Sequence, residues 1–105
     1  MSDERVETQA SINDWISTTF GETGSNISVA ARANQEMSEL VMALAIDDND
    51  PNAVVEAADI VIILYRLAHR FGKDLEAEID RKMAINRGRN WNVANGHGYH
   101  VKEGK

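Results

Sequence analysis

The sequence predicts an all-α protein, a four-helix bundle in which consecutive helices run antiparallel. The 105 residues contain one proline and almost no alternating strand pattern. Four segments have a helical pattern, and small or acidic residues separate them. Short connections between helices favour antiparallel neighbours. A chain of this length is adequate for one core, so we expect a single domain over residues 1–105.

The first two helices follow from apolar periodicity. The first covers about residues 9–19 and includes Trp15 in its apolar stripe. Residues 21–25 are mostly small and predict a turn. The second helix begins at residues 26–28 and ends at about Ile46, with apolar residues recurring at the helical period of about 3.6.

The third helix has clear boundaries in the sequence. Asp50 can cap its start, and Pro51 is tolerated in the first turn because no N–H is needed there. The helix runs to about Phe71, and Gly72 supplies a left-handed stop. Its residues are apolar around most of its circumference, which is typical of a helix buried on all sides. We therefore expect an oligomer, or else a central helix wrapped by the other three.

The fourth helix is predicted from about Asp74, a capping residue, to Arg87 or Gly88. The remaining tail, about residues 90–105, is predicted to be irregular.

Composition excludes several classes of protein. The chain has no cysteine and a net charge of −6, without a long basic run. A nucleic-acid polymer is therefore not expected as a partner, because binding to its phosphates needs clustered Lys and Arg. The most apolar stretch, residues 53–65, is too short and too charged to span a membrane. The acidic, polar N-terminus is unlike a secretory signal. We expect a cytoplasmic protein.

Two acidic pairs lie in strongly apolar helical segments. They are Glu36/Glu39 and Glu56/Asp59, and each pair shares a helix face because its members are three residues apart. If the two helices are neighbours, the four carboxylates converge, and bare buried charges of one sign are costly. A cation is expected between them, and all-oxygen ligands favour Mg²⁺ or Mn²⁺.

The sequence leaves an alternative for these acids. Buried ion pairs with Arg32, Lys82 or Arg87 would also neutralise them.

A second cluster of polar residues is predicted at the end of the fourth helix. Lys82 and Asn86 are four residues apart and share a face, and Arg89 follows closely. Cationic and amide groups suit phosphate oxygens. The alternative is a solvated helix end whose cations favour the C-terminal dipole.

Three motifs together resemble those of a known family. The chain resembles the MazG-like all-α nucleoside triphosphate pyrophosphohydrolases, which carry E-E-x-x-E, then E-x-x-D, then K-x-x-x-N-x-x-R. The matching strings are Asn34-Gln35-Glu36-Met37-Ser38-Glu39-Leu40, Glu56-Ala57-Ala58-Asp59 and Lys82-x-x-x-Asn86-x-x-Arg89-x-Trp91. More narrowly, residues 56–70, 82–87 and 96–100 resemble the dATP/dGTP diphosphohydrolase (MazZ) type of phages and bacteria. The first Glu of the family motif is replaced by Gln35.

The resemblance implies a Mg²⁺-dependent enzyme, with Mn²⁺ as a possible substitute. The enzyme would hydrolyse dGTP or dATP to the monophosphate and release pyrophosphate or successive phosphates. It would be a homodimer or homotetramer in a bacterial or phage-infected cell.

The resemblance also implies roles for residues of this chain. The metal ligands and catalytic residues would be Glu36, Glu39, Glu56 and Asp59. The triphosphate would be held by Lys82, Asn86 and Arg89. We expect the base near the junction of the first two helices, beside Asn13, Trp15, Ile16 and Asn34.

Two other functions stay open from the sequence. The same fold could act on dUTP, a damaged nucleotide or phosphoribosyl-ATP. A non-enzymatic helical oligomer could instead use the acids in buried salt bridges.

Overall fold

The computed structural model describes residues 5–22, 24–94 and 97–101, with side chains described as far as Arg89. The helices are α1 (Gln9–Phe20), α2 (Asn26–Ile46), α3 (Asn52–Arg70) and α4 (Leu75–Arg87). Two strands follow, β1 (Asn90–Ala94) and β2 (His97–Val101). The four predicted helices are confirmed, with ends that differ from the predictions by no more than a residue or two. None of the helices in these ranges has the length and apolar character that a membrane crossing requires.

The chain forms two compact units. The first extends to Leu75 and contains α1, α2 and α3, whereas the second starts at Glu76 and contains α4 and the two strands. Within the first unit, α3 packs against both α2 and α1.

Side-chain caps fix the starts of α1 and α2. The Ser11 N–H donates to Thr8 Oγ1 at 3.1 Å, and the Thr8 N–H donates back to Ser11 Oγ at 2.8 Å. This reciprocal capping box satisfies amides that have no partner inside the helix. At α2, Ser25 Oγ accepts from the Ser28 N–H at 3.2 Å.

The ends of α3 lie within a residue or two of those that its sequence predicts, and its N-cap is Pro51 rather than Asp50. Asp50 Oδ1 accepts a hydrogen bond from the Asn52 N–H at 3.0 Å, directly before the first turn. After the helix, Gly72 has φ +67°, a left-handed conformation that glycine adopts without steric cost.

The core of the first unit is thin. Its buried apolar residues are Ile16, Val29, Ala33, Ile60 and Tyr65. In the single chain α3 is not buried on all sides, because α1 and α2 cover only part of its surface. Val54 and Val55 on α3 are 73% and 61% exposed.

Polar side chains join the ends of the helices in the first unit. Arg70, at the end of α3, donates from Nε to Asn26 Oδ1 and from Nη2 to the Gly24 carbonyl, both at 2.7 Å. Gln9, at the start of α1, donates to the Lys73 carbonyl at 2.6 Å and accepts from the Leu75 N–H at 2.8 Å. The end of α3 therefore lies beside the start of α2, as expected for antiparallel neighbours.

The second unit corrects the prediction of an irregular tail. In the described part of that tail, β1 and β2 pair antiparallel, from Asn90 opposite Val101 to Ala94 opposite His97. The pairing satisfies backbone groups that an irregular segment would leave to water. The strand signal was present but short, since Trp91 and Val93 alternate with polar or small residues.

We predict that Arg70→Ala destabilises the protein by about 1–2 kcal/mol, because it removes two charge-assisted hydrogen bonds between α3 and the start of α2. Urea denaturation monitored by circular dichroism measures this change. The matched control is Arg81→Ala, which breaks only a pair with Glu78 on the same helix and is expected to change stability little. Equal effects of the two variants would contradict the role of Arg70.

Candidate metal centre and adjoining cavity

Three carboxylates meet where α2 packs against α3. Glu36, Glu56 and Asp59 each have one carboxylate oxygen in the group, and these three oxygens all lie within 4.8 Å of one another. Glu56 and Asp59 share a face of α3 because they are three residues apart, and Glu36 faces them from α2. Glu36 is buried, Glu56 is half-buried and Asp59 is exposed. The predicted convergence of the two acidic pairs therefore involves these three side chains.

Glu39 is not a member of this group. It is exposed, and on an ideal helix it is displaced from Glu36 by about 60° around the axis and about 4.5 Å along it. Convergence of all four carboxylates, expected from the spacing, is thus not what the structure shows. Three-residue spacing puts Glu39 near the face of Glu36, and the group of three carboxylates does not include it.

Among the residues that the structure describes, one cation contacts the carboxylate cluster. Arg32 Nη2 lies 2.8 Å from Glu36 Oε1, and Arg32 Nη1 donates to Gln35 Oε1 at 3.3 Å. Within the described part of the chain, neither Glu56 nor Asp59 forms an ion pair with Lys, Arg or His. The alternative of buried ion pairs therefore accounts for Glu36 but leaves the two acids of α3 without a compensating charge.

The cluster fits a divalent cation. Its donors are all carboxylate oxygens, which hard ions such as Mg²⁺, Mn²⁺ and Ca²⁺ prefer. Three acids this close repel one another unless a positive charge lies between them. Glu36, Glu56 and Asp59 are thus the residues that could hold such an ion.

A cavity of about 680 Å³ adjoins the cluster and shares Glu36 and Asp59 with it. Its other charged lining residues are Arg32 and Arg66. Most of the remaining wall is apolar and consists of Trp15, Ile16, Phe20, Val29, Ile62 and Ile63. The rings of Trp15 and Phe20 meet edge to face, with centroids 5.4 Å apart. Apolar walls with a few polar groups at one side are typical of sites for small organic ligands.

The predicted base-binding residues have different positions. Trp15 and Ile16 line the cavity. Asn34 is exposed and does not line the cavity. Asn13 is buried, and its Oδ1 has no hydrogen-bond partner among the described residues. It is not part of the cavity lining either.

Phe20 and Arg66 are among the lining residues that the sequence analysis did not assign to the site. Arg66 had a detectable signal, because Asp59, Ile62, Ile63 and Arg66 follow the i, i+3, i+4, i+7 spacing of one helix face. Phe20 also had a signal, because it follows the lining residue Ile16 by four residues and so shares its helix face. Its edge-to-face contact with Trp15 spans five residues, which is not a same-face spacing.

The predicted phosphate-binding residues belong to the second unit. Lys82 is exposed and lies one turn before Asn86 on α4. The N–H of Arg89, just beyond the helix, donates to the Asn86 carbonyl at 3.2 Å. Within this unit, α4 and the turn after it therefore carry all three side chains on one short segment.

Fold and site together define a class of protein. The chain is an all-α protein in which carboxylates suited to a divalent cation open onto a cavity of ligand size.

Comparison with known proteins gives the family. The model of the MazG-like family matches residues 33–104, and the chain belongs to that family. The match includes both acidic pairs and the Lys82, Asn86 and Arg89 segment. No curated protein matches the chain.

A solved structure is similar over most of the chain. It is the cyanophage S-2L MazG-like pyrophosphohydrolase, bound to dGDP and three catalytic Mn²⁺ ions per active site. The TM-score is 0.69 at 29% identity, and the match covers 90% of this chain and 93% of that one. The predicted MazG-like fold and the prediction of an enzyme, a hydrolase of nucleotide anhydrides, are confirmed.

We predict that Mn²⁺ raises the melting temperature of the wild-type protein and that Glu56→Gln loses most of this effect. An ion that binds only the folded state stabilises it by about 2.7 kcal/mol at a concentration one hundred times its Kd. Removal of one anionic ligand should weaken ion binding by more than about tenfold. Differential scanning fluorimetry across a Mn²⁺ series measures both effects.

The matched control is Asp48→Asn, which removes a carboxylate from the exposed turn between α2 and α3. It should keep the full Mn²⁺ response. If Glu56→Gln responds to Mn²⁺ like the wild type, then the ion binds elsewhere.

Proposed function

We propose that this protein hydrolyses the purine deoxynucleoside triphosphates dGTP and dATP to their monophosphates. Pyrophosphate or successive phosphates would be released, and Mg²⁺ would be the natural ion, with Mn²⁺ as a substitute. The observation that carries the proposal is the sharing of Glu36 and Asp59 between the carboxylate cluster and the apolar cavity. A base in the cavity would lie next to the groups that hold the cations.

Each carboxylate has a role in this proposal. Glu36, Glu56 and Asp59 hold the cations, and their grouping supports this assignment. Glu39 is proposed as a further ligand from its match to the family motif. Bound ions would neutralise phosphate charge and acidify a bound water. A carboxylate of this set accepts the proton of the attacking water as general base.

The apolar wall is proposed to hold the purine base. Trp15 offers a large, partly exposed ring on the cavity wall, and aromatic faces stack on bases without needing hydrogen bonds. Isoleucines from α3 would contact the base from another side. Asn34 is retained as a base-contacting residue only because of the resemblance to the purine-specific subgroup.

Lys82, Asn86 and Arg89 are proposed to hold the triphosphate. Their spacing matches the family element, and the family model continues from residue 33 in the first unit to residue 104 in the second. That continuity supports one functional domain over residues 1–105. An amide and two cations provide several donors to phosphate oxygens.

We further propose a homodimer or homotetramer. Large apolar side chains on α2 and α3 are more than two-fifths exposed in the single chain, namely Met37, Val41, Val54, Val55 and Val61. Monomeric soluble proteins rarely expose large contiguous apolar patches, and these side chains offer apolar surface that a second copy could cover. A second copy that covers this surface would bury α3, as its sequence pattern predicts.

The alternatives within the same fold are dUTP, damaged nucleotides and phosphoribosyl-ATP. All of them contain the phosphoanhydride bond that would be hydrolysed. They differ from dGTP and dATP in the base, or in the group attached to the base, that the cavity would have to accommodate. We place the enzyme in the cytoplasm of a bacterial or phage-infected cell, where nucleotide substrates are available.

A screen of nucleotides with Mg²⁺ tests the proposed substrates. We predict that kcat/KM for dGTP and dATP exceeds that for dCTP and dUTP by about tenfold or more, because a two-ring base fills more of the apolar wall. Ion-exchange chromatography of the products identifies the monophosphate and its phosphate co-product. Glu56→Gln is the inactive control. A preference for dUTP or phosphoribosyl-ATP would replace the purine assignment, and no turnover with any nucleotide would refute the proposal.

Val55→Asp tests the proposed oligomer. Val55 is 61% exposed on α3, and a charge there would be costly to bury in a subunit interface. We predict that this variant shifts to the monomer mass in size-exclusion chromatography with light scattering. Val6→Asp, at a position 89% exposed before α1, should keep the wild-type mass. A monomeric wild type would contradict the proposed assembly.

A further inference from the structure

Arg32 contacts the carboxylate cluster and lines the cavity. Its guanidinium lies 2.8 Å from Glu36 Oε1, and its side chain lines the cavity together with Asp59 and Arg66. Its guanidinium is therefore a positive charge in contact with one carboxylate of the cluster. A metal ion bound by Glu36 would therefore affect the position of Arg32.

The two cations compete for Glu36. Divalent ions bind carboxylate oxygens at about 2.0–2.6 Å. An ion at that distance from Glu36 would lie within a few ångströms of the guanidinium, and the two positive charges would repel each other strongly at such a separation. Metal binding at Glu36 therefore favours the departure of Arg32.

The contacts of Arg32 with Glu36 and Gln35 are weak enough to break. Its side chain is 56% exposed, whereas that of Glu36 is 12% exposed. Arg32 precedes Glu36 on the helix, the less favourable order for an i,i+4 pair. Its second contact is a long hydrogen bond to the neutral amide of Gln35, at 3.3 Å. Gln35 replaces the first Glu of the family motif, so at this position Arg32 meets no second carboxylate.

We propose that Arg32 is a substrate-binding residue with two alternative partners. In the metal-free protein it pairs with Glu36, and in the metal-loaded protein it turns within the cavity and binds a phosphate oxygen of the nucleotide. This inference rests on the proposed function. It gives the phosphate groups of the substrate one contact more than the contacts proposed for Lys82, Asn86 and Arg89.

Arg32 is better suited to this exchange than the other guanidinium of the cavity. Arg66 is half-buried and also contacts the Gly21 carbonyl in the connection between α1 and α2, whereas Arg32 is exposed. Among the described residues, the partners of Arg32 are Glu36 and Gln35 on its own helix. Loss of the Glu36 contact to a metal ion therefore leaves Arg32 with one weak bond and an open cavity beside it. A guanidinium is well matched to two phosphate oxygens at once.

The test compares Arg32→Gln, Arg32→Lys and the control Arg81→Gln by isothermal titration calorimetry. Arg81 pairs with Glu78 on α4 and does not line the cavity, so its variant loses the same charge and a similar ion pair. Mn²⁺ is titrated first without nucleotide. We predict that Arg32→Gln binds Mn²⁺ about three- to tenfold more tightly than the wild type, since a competing cation is removed. Arg32→Lys and Arg81→Gln should stay within about twofold of the wild type.

The second titration adds dGDP to protein saturated with Mn²⁺. We predict that Arg32→Gln binds dGDP about tenfold more weakly than the wild type, with partial recovery in Arg32→Lys. Tighter Mn²⁺ binding together with weaker dGDP binding is the signature of an exchange between partners, and a purely structural role would not move the two affinities in opposite directions.

Two outcomes overturn the inference while leaving the proposed function intact. One is unchanged or weaker Mn²⁺ binding by Arg32→Gln, and the other is unchanged dGDP binding. Both are read against a wild-type protein that binds Mn²⁺ and hydrolyses nucleotide. If the wild type binds no Mn²⁺, the proposed function fails as well, and the two failures are thereby distinguished.

Discussion

The packing of α2 against α3 is the contact on which the site depends. It brings Glu36 of one helix to the Glu56 and Asp59 face of the other, and three carboxylate oxygens come within 4.8 Å of one another. Like charges at that separation oppose the packing of the helices that carry them. The apolar contacts of α3 with α1 and α2 must therefore outweigh this repulsion until a cation relieves it. Metal binding and the stability of this helix pair are consequently coupled.

Several features soften the repulsion in the metal-free protein. Arg32 pairs with the most buried of the three acids, and Asp59 is exposed to water. The core that works against the repulsion is small, because few apolar side chains of the first unit are fully covered. A thin core beside a cluster of negative charge explains why an additional subunit and bound ions would both stabilise the same region.

Much of this architecture could be predicted from local chemistry. Pro51 and Gly72 mark the ends of α3, and a single helical period places Glu56 and Asp59 on one face. The predictions that differ from the structure concern contacts between residues distant in sequence and segments with weak periodicity. The spacing of Glu39 suggested convergence, yet three-residue spacing fixes a face and not a side-chain target. The pairing of β1 with β2 was missed because each strand has only five residues with weak alternation.

The central claim is that Glu36, Glu56 and Asp59 hold the ions used for nucleotide hydrolysis. Anomalous diffraction from crystals grown with Mn²⁺ and dGDP tests it most directly. We expect manganese peaks bonded to oxygens of all three carboxylates, with the nucleotide base against Trp15. Manganese peaks at other acids, with Arg32 still paired to Glu36 and no ion in the cluster, would contradict it.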